Sequence, residues 1–303
     1  MLQKSLSLST DTLCYDLEDS VTSSQKASAR TALTSFLSSS RPPNAAEIAV
    51  RINDVSTNLA LADLTELLQA PNIDTVVVPK VNSASDLHFI TDVIRHVLPE
   101  RHPSTPTEIR EGQKPPLKIL ALIESARSLT DLREICAATP YLDGLVFAAE
   151  DFALDLSITR TPSLTEFLYA RSSIVSHARA FNLPSAIDLV CTSFRGAEGL
   201  ATMEEECAGG RRLGFNGKQC IHPSQVEVAQ RAYGPAKEEV EWSVRVVIAD
   251  QKAADVGRGA WTLQGKMIDR PVVEKARAVV ERARACGWDL DAVTEEWKGQ
   301  EPE

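Results

Sequence analysis

The sequence predicts an α/β fold: a TIM (β/α)8-type barrel lacking its first strand, followed by a C-terminal helical subdomain. Three observations predict it. Seven short apolar runs recur with helix-like segments between them, at the spacing of βα units. Nearly every run ends in a charged residue, as expected where parallel strands gather their C-terminal ends at one functional mouth. After about Tyr233 this alternation stops. A doubly wound open sheet is the alternative, but no Gly-x-Gly-x-x-Gly turn follows the first run to support it.

Taken in order, Thr12-Leu13-Cys14-Tyr15-Asp16-Leu17 leads into Glu18-Asp19, and Glu47-Ile48-Ala49-Val50 into Arg51. Asp74-Thr75-Val76-Val77-Val78-Pro79 leads into Lys80. Lys118-Ile119-Leu120-Ala121-Leu122-Ile123 is closed by Glu124, and Gly144-Leu145-Val146-Phe147-Ala148-Ala149 by Glu150 and Asp151. Each of these two runs is too short for a helix and reads as a buried parallel strand that delivers a carboxylate at its end. Two such ends side by side could hold a divalent cation. Ser185-Ala186-Ile187 then leads into Asp188, and Leu213-Gly214-Phe215-Asn216-Gly217 into Lys218.

Amphipathic spacing predicts helices over 24–37, 60–68, 84–97, 128–138, 163–180 and 196–209. An eighth strand should precede Thr12, yet residues 1–10 read as the tail of a helix. The stretch 99–116, rich in Pro, Ser, Thr and charge, reads as an inserted surface loop. Beyond Tyr233, a helix over 238–254 and a Gly-rich turn over 257–261 precede a helix over 271–286, with Pro271 at its first position and Asp269 near its cap. The chain thus divides into a barrel over 1–232 and a helical subdomain over 233–303.

The chain has 303 residues, 43% apolar and 24% charged, enough for a sizeable core. A formal net charge of −10 and the absence of a basic patch argue against nucleic acid as a partner. No apolar run is long enough to cross a bilayer, so a membrane is not expected as a partner either. Six cysteines are scattered without a Cys-x-x-Cys pair, which favours a reducing compartment over a secreted disulfide scaffold. Residues 1–10 are too short and too weakly basic to be a transit peptide.

The segments that end in charges also share recognisable words. They are Asp16-Leu17-Glu18-Asp19-Ser20-Val21, Arg51-Ile52-Asn53, Val78-Pro79-Lys80, Ile123-Glu124-Ser125, Ala149-Glu150-Asp151, and the run from Gly214 through Lys218 and Ile221-His222-Pro223 to Gln225. In this order they resemble the HpcH/HpaI aldolase and citrate lyase β-subunit superfamily, nearest to its citrate lyase β-like branch. The resemblance runs from about residue 4 to residue 285. It differs in one respect: family members open with a strand reading roughly Arg-Ser-x-Leu-Tyr-Val-Pro-Gly, which this sequence does not contain.

The resemblance implies a Mg²⁺-dependent lyase acting on an acyl-CoA thioester. Glu124 and Asp151 match its metal ligands, and hard oxygen donors suit Mg²⁺. Arg51 matches an arginine that faces the substrate carbonyl, with Glu18 and Asp19 as acids that orient it. Asp269 matches a catalytic acid/base, placed in some members over a neighbouring subunit's barrel. That arrangement implies a homo-oligomer, a trimer or hexamer. Lys4, Ile221 and His222 match positions on the CoA side. The implied reaction is cleavage of a 3-hydroxyacyl-CoA such as citramalyl-CoA into acetyl-CoA and pyruvate, in a mitochondrial or alternatively a cytoplasmic setting. Malyl-CoA cleavage or thioester hydrolysis, a class II aldolase on a free hydroxy keto acid, and a degenerate barrel serving as a binding subunit are the alternatives.

Overall fold

The structure, a computed structural model, describes residues 2–103, 114–255 and 257–303. Most of the loop expected over 99–116 therefore lies outside the described residues. Two compact units divide the chain, 1–226 and 227–303.

The first unit is a curled TIM-type sheet of seven parallel strands: β1 (Thr10–Asp16), β2 (Ala45–Arg51), β3 (Thr75–Val78), β4 (Lys118–Ile123), β5 (Leu142–Phe147), β6 (Ser185–Asp188) and β7 (Gly217–Lys218). Their order in the sheet is their order in the chain, and among the described residues no ladder returns from β7 to β1. A short helix, α1 (Leu2–Ser5), precedes β1, and helices carry the crossovers: α2 (Lys26–Ser39), α3 (Leu59–Leu67), α4 (Ala84–Val97), α5 (Ala126–Thr130), α6 (Leu132–Ala137), α7 (Ala149–Leu156), α8 (Leu168–Ala180) and α9 (Gly196–Leu213).

The strand residues explain the topology. β3 is buried at every position and β4 at all but its first, as central parallel strands covered on both faces must be. Ala49, Val77, Leu120, Leu122 and Val146 pack together on the inner face of the sheet. Gly144 is required where β5 meets β6: a Cβ there would lie 2.4 Å from the Ser185 Cβ and 2.5 Å from its carbonyl oxygen.

Register then sets the mouth. Asp16 pairs with Arg51, Arg51 with Val77, Val78 with Ala121, and Ile123 with Phe147. The residues that end successive strands are brought to one level, so Asp16, Arg51, Lys80 and Glu124 share one rim.

The second unit holds most of α10 (Val226–Tyr233), then α11 (Lys237–Asp255), a hairpin of β8 (Trp261–Leu263) and β9 (Lys266–Ile268), α12 (Arg270–Ala285) and α13 (Leu290–Trp297). The hairpin corrects the Gly-rich turn expected from the sequence. Leu263 pairs with Lys266 across a two-residue turn, Gln264 and Gly265, both at positive φ (51° and 71°). Such a turn matches the twist of the two strands it joins. Trp261, Leu263 and Ile268 bury their side chains with Val246, Ala249, Ala253, Val273 and Ala276, giving this unit its own core. No helix among the described residues is long and apolar enough to cross a membrane.

Candidate active site

Arg51 ends β2 and is clamped by the strand beside it. Its Nε and Nη2 both donate to the Asp16 carboxylate at 2.7 Å, a bidentate pair. Nη1 lies 3.2 Å from Glu18 Oε2 and 3.4 Å from Asp19 Oδ2. Burial favours the neutral form of Asp16, but the hydrogen bonds from Arg51 and Ser20 outweigh it and hold the carboxyl down to about 2. Burial likewise opposes the Arg51 charge, and Asp16 more than restores it.

Glu18 is buried and serves two cations. Its Oε2 faces Arg51, and its Oε1 accepts from Lys80 Nζ at 2.7 Å. Burial pushes the Glu18 carboxyl up against the pull of that lysine. The hydrogen bond to Glu18 in turn holds the Lys80 ammonium above the ordinary lysine range. Lys80 has φ 51°, left-handed for a residue with a Cβ, which costs about 1–2 kcal/mol.

Glu124 follows β4 directly and is 5% exposed. Its Oε1 is buried without a hydrogen-bond partner. The backbone and the charge of Lys80 favour its ionised form. Burial first, and the Asp151 charge second, push Glu124 up to about 7.

Asp151 does not end a strand, contrary to the reading of the sequence. β5 stops at Phe147, and Asp151 sits in the first turn of α7. The reason lies in the side chains behind it. Phe152 packs edge-on against Phe147 at 5.3 Å, and Phe167 against Phe147 at 5.6 Å, all three buried. Ala149, Phe152 and Ala153 thus form a helical apolar face that begins where the strand ends. Edge-to-face ring pairs add about 0.5–1.5 kcal/mol each to that burial.

One turn further along α7, Asp155 accepts from the Ala126 N–H at 2.8 Å, tying α7 to the residues just after Glu124. The neighbouring Glu150 turns away to Arg160.

The CoA-side candidates lie apart from this network in character. Lys4 is exposed in α1, and Ile221 is 55% exposed. His222 stacks on Phe194 at 5.0 Å and its Nδ1 meets the Ser224 hydroxyl at 2.8 Å. Asp269 belongs to the second unit, where it caps α12: its Oδ1 accepts from the Val272 N–H at 3.2 Å, engaging one of its two oxygens. Arg270 rather than Pro271 opens that helix.

Two residues of the ion-pair network escaped the sequence reading. Asp16 was treated as part of a strand, although it ends β1 opposite Arg51 and its charge is the natural complement. Lys80 was noted in a motif without a role. A cleft of about 270 Å³ beside Lys80, lined also by Asp54, Asn82, Ser83 and Arg127, shares that lysine with the network but contains neither Arg51 nor Glu124.

The defining pattern of the HpcH/HpaI aldolase/citrate lyase family is matched over residues 1–223. The chain belongs to this family. It is 33% identical over 293 residues to the rat (Rattus norvegicus) mitochondrial citramalyl-CoA lyase, covering 93% of this chain and 82% of that protein. To the citrate lyase β subunit of Haemophilus influenzae it is 34% identical over 288 residues, covering 94% and 93%. The Mycobacterium tuberculosis CitE protein, solved in complex with magnesium, acetoacetate and coenzyme A, superposes with a TM-score of 0.67 at 27% identity, covering 92% of this chain and 99% of that one. Carbon–carbon lyase is the enzyme class of this HpcH/HpaI family chain.

The residues present fit a divalent cation. A buried carboxylate oxygen without a partner, next to a second acid that repels it, is the donor set a hard cation would complete. Among the described residues no group of three or more acids, histidines or cysteines is placed to hold a metal ion. Two carboxylates supplemented by water and substrate oxygens suit Mg²⁺ better than a fully protein-lined cage.

Proposed function

We propose that this chain is a Mg²⁺-dependent lyase that cleaves a 3-hydroxyacyl-CoA, with citramalyl-CoA to acetyl-CoA and pyruvate as the preferred reaction. The unpartnered Oε1 of buried Glu124, beside Asp151, is the observation that carries this reading. Mg²⁺, held by Glu124 and Asp151, would act as a Lewis acid on the substrate's hydroxyl and carboxylate oxygens and lower the hydroxyl pKa.

The rest falls to the chain's own residues. Solvent water, acting as the base, takes the hydroxyl proton, and the C–C bond breaks to leave the keto acid and the enolate of acetyl-CoA. Arg51 remains a cation throughout, and the Asp16 fork holds its plane so that it can face the developing enolate oxygen. Asp269 supplies a proton to the enolate carbon, from a neighbouring copy of the chain in our reading. Lys4, Ile221 and His222 are assigned to the CoA side. A homo-oligomer follows from the role of Asp269.

The test is acetyl-CoA release from citramalyl-CoA and malyl-CoA with Mg²⁺ and then with EDTA. Release that depends on the metal supports the lyase, and the faster thioester names the acyl group. Free CoA without acetyl-CoA would indicate thioester hydrolysis instead. Turnover of a free hydroxy keto acid without CoA would indicate an aldolase. A folded protein inert towards all of these would be a binding subunit. Mixing inactive Arg51→Ala with inactive Asp269→Asn should restore part of the activity if Asp269 acts between copies.

A further inference from the structure

We propose that Lys80 is a positioning residue that joins the two halves of the site. It sets Arg51 through Glu18 with its side chain, and the loop it opens is fastened to the residues beside Glu124. The role rests on the lyase reading above.

Three observations converge on it. Lys80 follows β3, the strand between the one that carries Arg51 and the one that carries Glu124. Its Nζ donates to Glu18 Oε1 at 2.7 Å, while the other oxygen of Glu18 lies 3.2 Å from Arg51 Nη1. It holds this place from a left-handed backbone at φ 51°. Strain of this kind persists where the surroundings over-determine it, which is typical of functional sites.

The loop around it is also tied down. Asn82 Nδ2 donates to the Lys80 carbonyl at 3.1 Å, and the Ser125 hydroxyl donates to Asn82 Oδ1 at 2.5 Å, so the β3 and β4 loops are fastened together beside Glu124. Without the ammonium, Glu18 would have Arg51 as its nearest cation and would draw the guanidinium towards itself. The lesion would then appear where Arg51 works, in the stabilisation of charge that develops only during cleavage.

The experiment compares Lys80→Met, Lys80→Arg, Glu18→Gln and the Lys80→Met/Glu18→Gln double variant. It reads kcat and KM on the preferred thioester, and Mg²⁺ affinity by calorimetry on the substrate-free enzyme. Lys80→Met should lower kcat about 10–100-fold with KM little changed. Lys80→Arg should recover most of the loss. The double variant should be no worse than the poorer single one, because both act through one contact. Mg²⁺ affinity of Lys80→Met should stay within about threefold of the parent, since the ammonium contacts Glu18 and neither proposed metal acid.

Unimpaired turnover in Lys80→Met overturns the role. So do losses that multiply in the double variant, or a large loss of Mg²⁺ affinity, which would place the side chain in service of the metal acids. A parent enzyme without any turnover sinks the lyase reading and this role with it. An active parent with an unimpaired Lys80→Met sinks this role alone.

Discussion

The two halves of the rim are built on opposite electrostatic plans. Around Arg51, every charge has an answer: Asp16 grips it in a fork, and Glu18 and Lys80 complete an alternating row. Around Glu124, two acids face each other with one buried oxygen unanswered. The first half is finished by the fold itself. The second, in the function proposed above, is finished by a bound cation. A site can therefore be located as much by what is unsatisfied as by what is assembled, since a buried charge without a partner is expensive to maintain for no purpose.

The largest effect should come from the unsatisfied half. Glu124→Gln and Asp151→Asn should each lower turnover by at least about 100-fold and weaken Mg²⁺ binding, measured by kinetics and calorimetry. In metal-free protein the same substitutions should raise the melting temperature, because each removes one member of a repelling pair. If both lowered it instead, the two acids would belong to the fold rather than to a cation.

On the satisfied half, Asp16→Asn should have the opposite signature. It replaces a charged fork with a weaker contact and should destabilise the protein by about 1–3 kcal/mol in denaturant unfolding. Turnover should fall by about 100-fold, because Arg51 loses its orientation. Full activity with full stability would show that Glu18 and Asp19 suffice.

The pH dependence separates the halves again. Glu124 is raised in the folded protein from 4.5 to about 7, so its contribution to metal-free stability is present below pH 4.5 and is lost as pH rises through about 7. Thermal melts in EDTA should show that decline, and Mg²⁺ should remove it. Below pH 7 the cation must displace a proton, so its affinity should fall by about tenfold per pH unit. Asp16 runs the other way. It is lowered from 3.8 to about 2, so its contribution is present above pH 3.8 and is lost as pH falls through about 2. The smallest effect belongs to Glu150→Gln, at the exposed end of its pair with Arg160, which should move stability by no more than about 0.5 kcal/mol.

Much of this was readable in the sequence, because strands buried on both faces write themselves as unbroken apolar runs and a charge stands out where each run ends. The seven strands and the positions of Arg51 and Glu124 were legible for that reason. What is less legible is geometry that depends on register. Of the acids Asp16, Glu18 and Asp19, only the pairing of Asp16 with Arg51 across β1 and β2 tells which one closes the fork, and Asp19 turns out to be 62% exposed. Asp151 was placed at a strand end because Phe147-Ala148-Ala149 is continuous in hydropathy. The change from strand to helix there is made by Phe152 reaching back to Phe147, a tertiary contact without a local signal. Lys80 was noted only within its motif, because its contact with Glu18 joins residues 62 apart in the chain and carries no local signal.

The bond between Asp155 and the Ala126 amide offers something practical. That amide proton is held between the segment that carries Glu124 and the helix that carries Asp151, and it is contributed by neither acid. If Mg²⁺ joins Glu124 and Asp151 as proposed, loading the site should hold those two segments together and slow exchange of this proton with deuterated water. In a nitrogen-15 spectrum its resonance becomes a native reporter of occupancy, legible without substrate, label or mutation at the acids themselves.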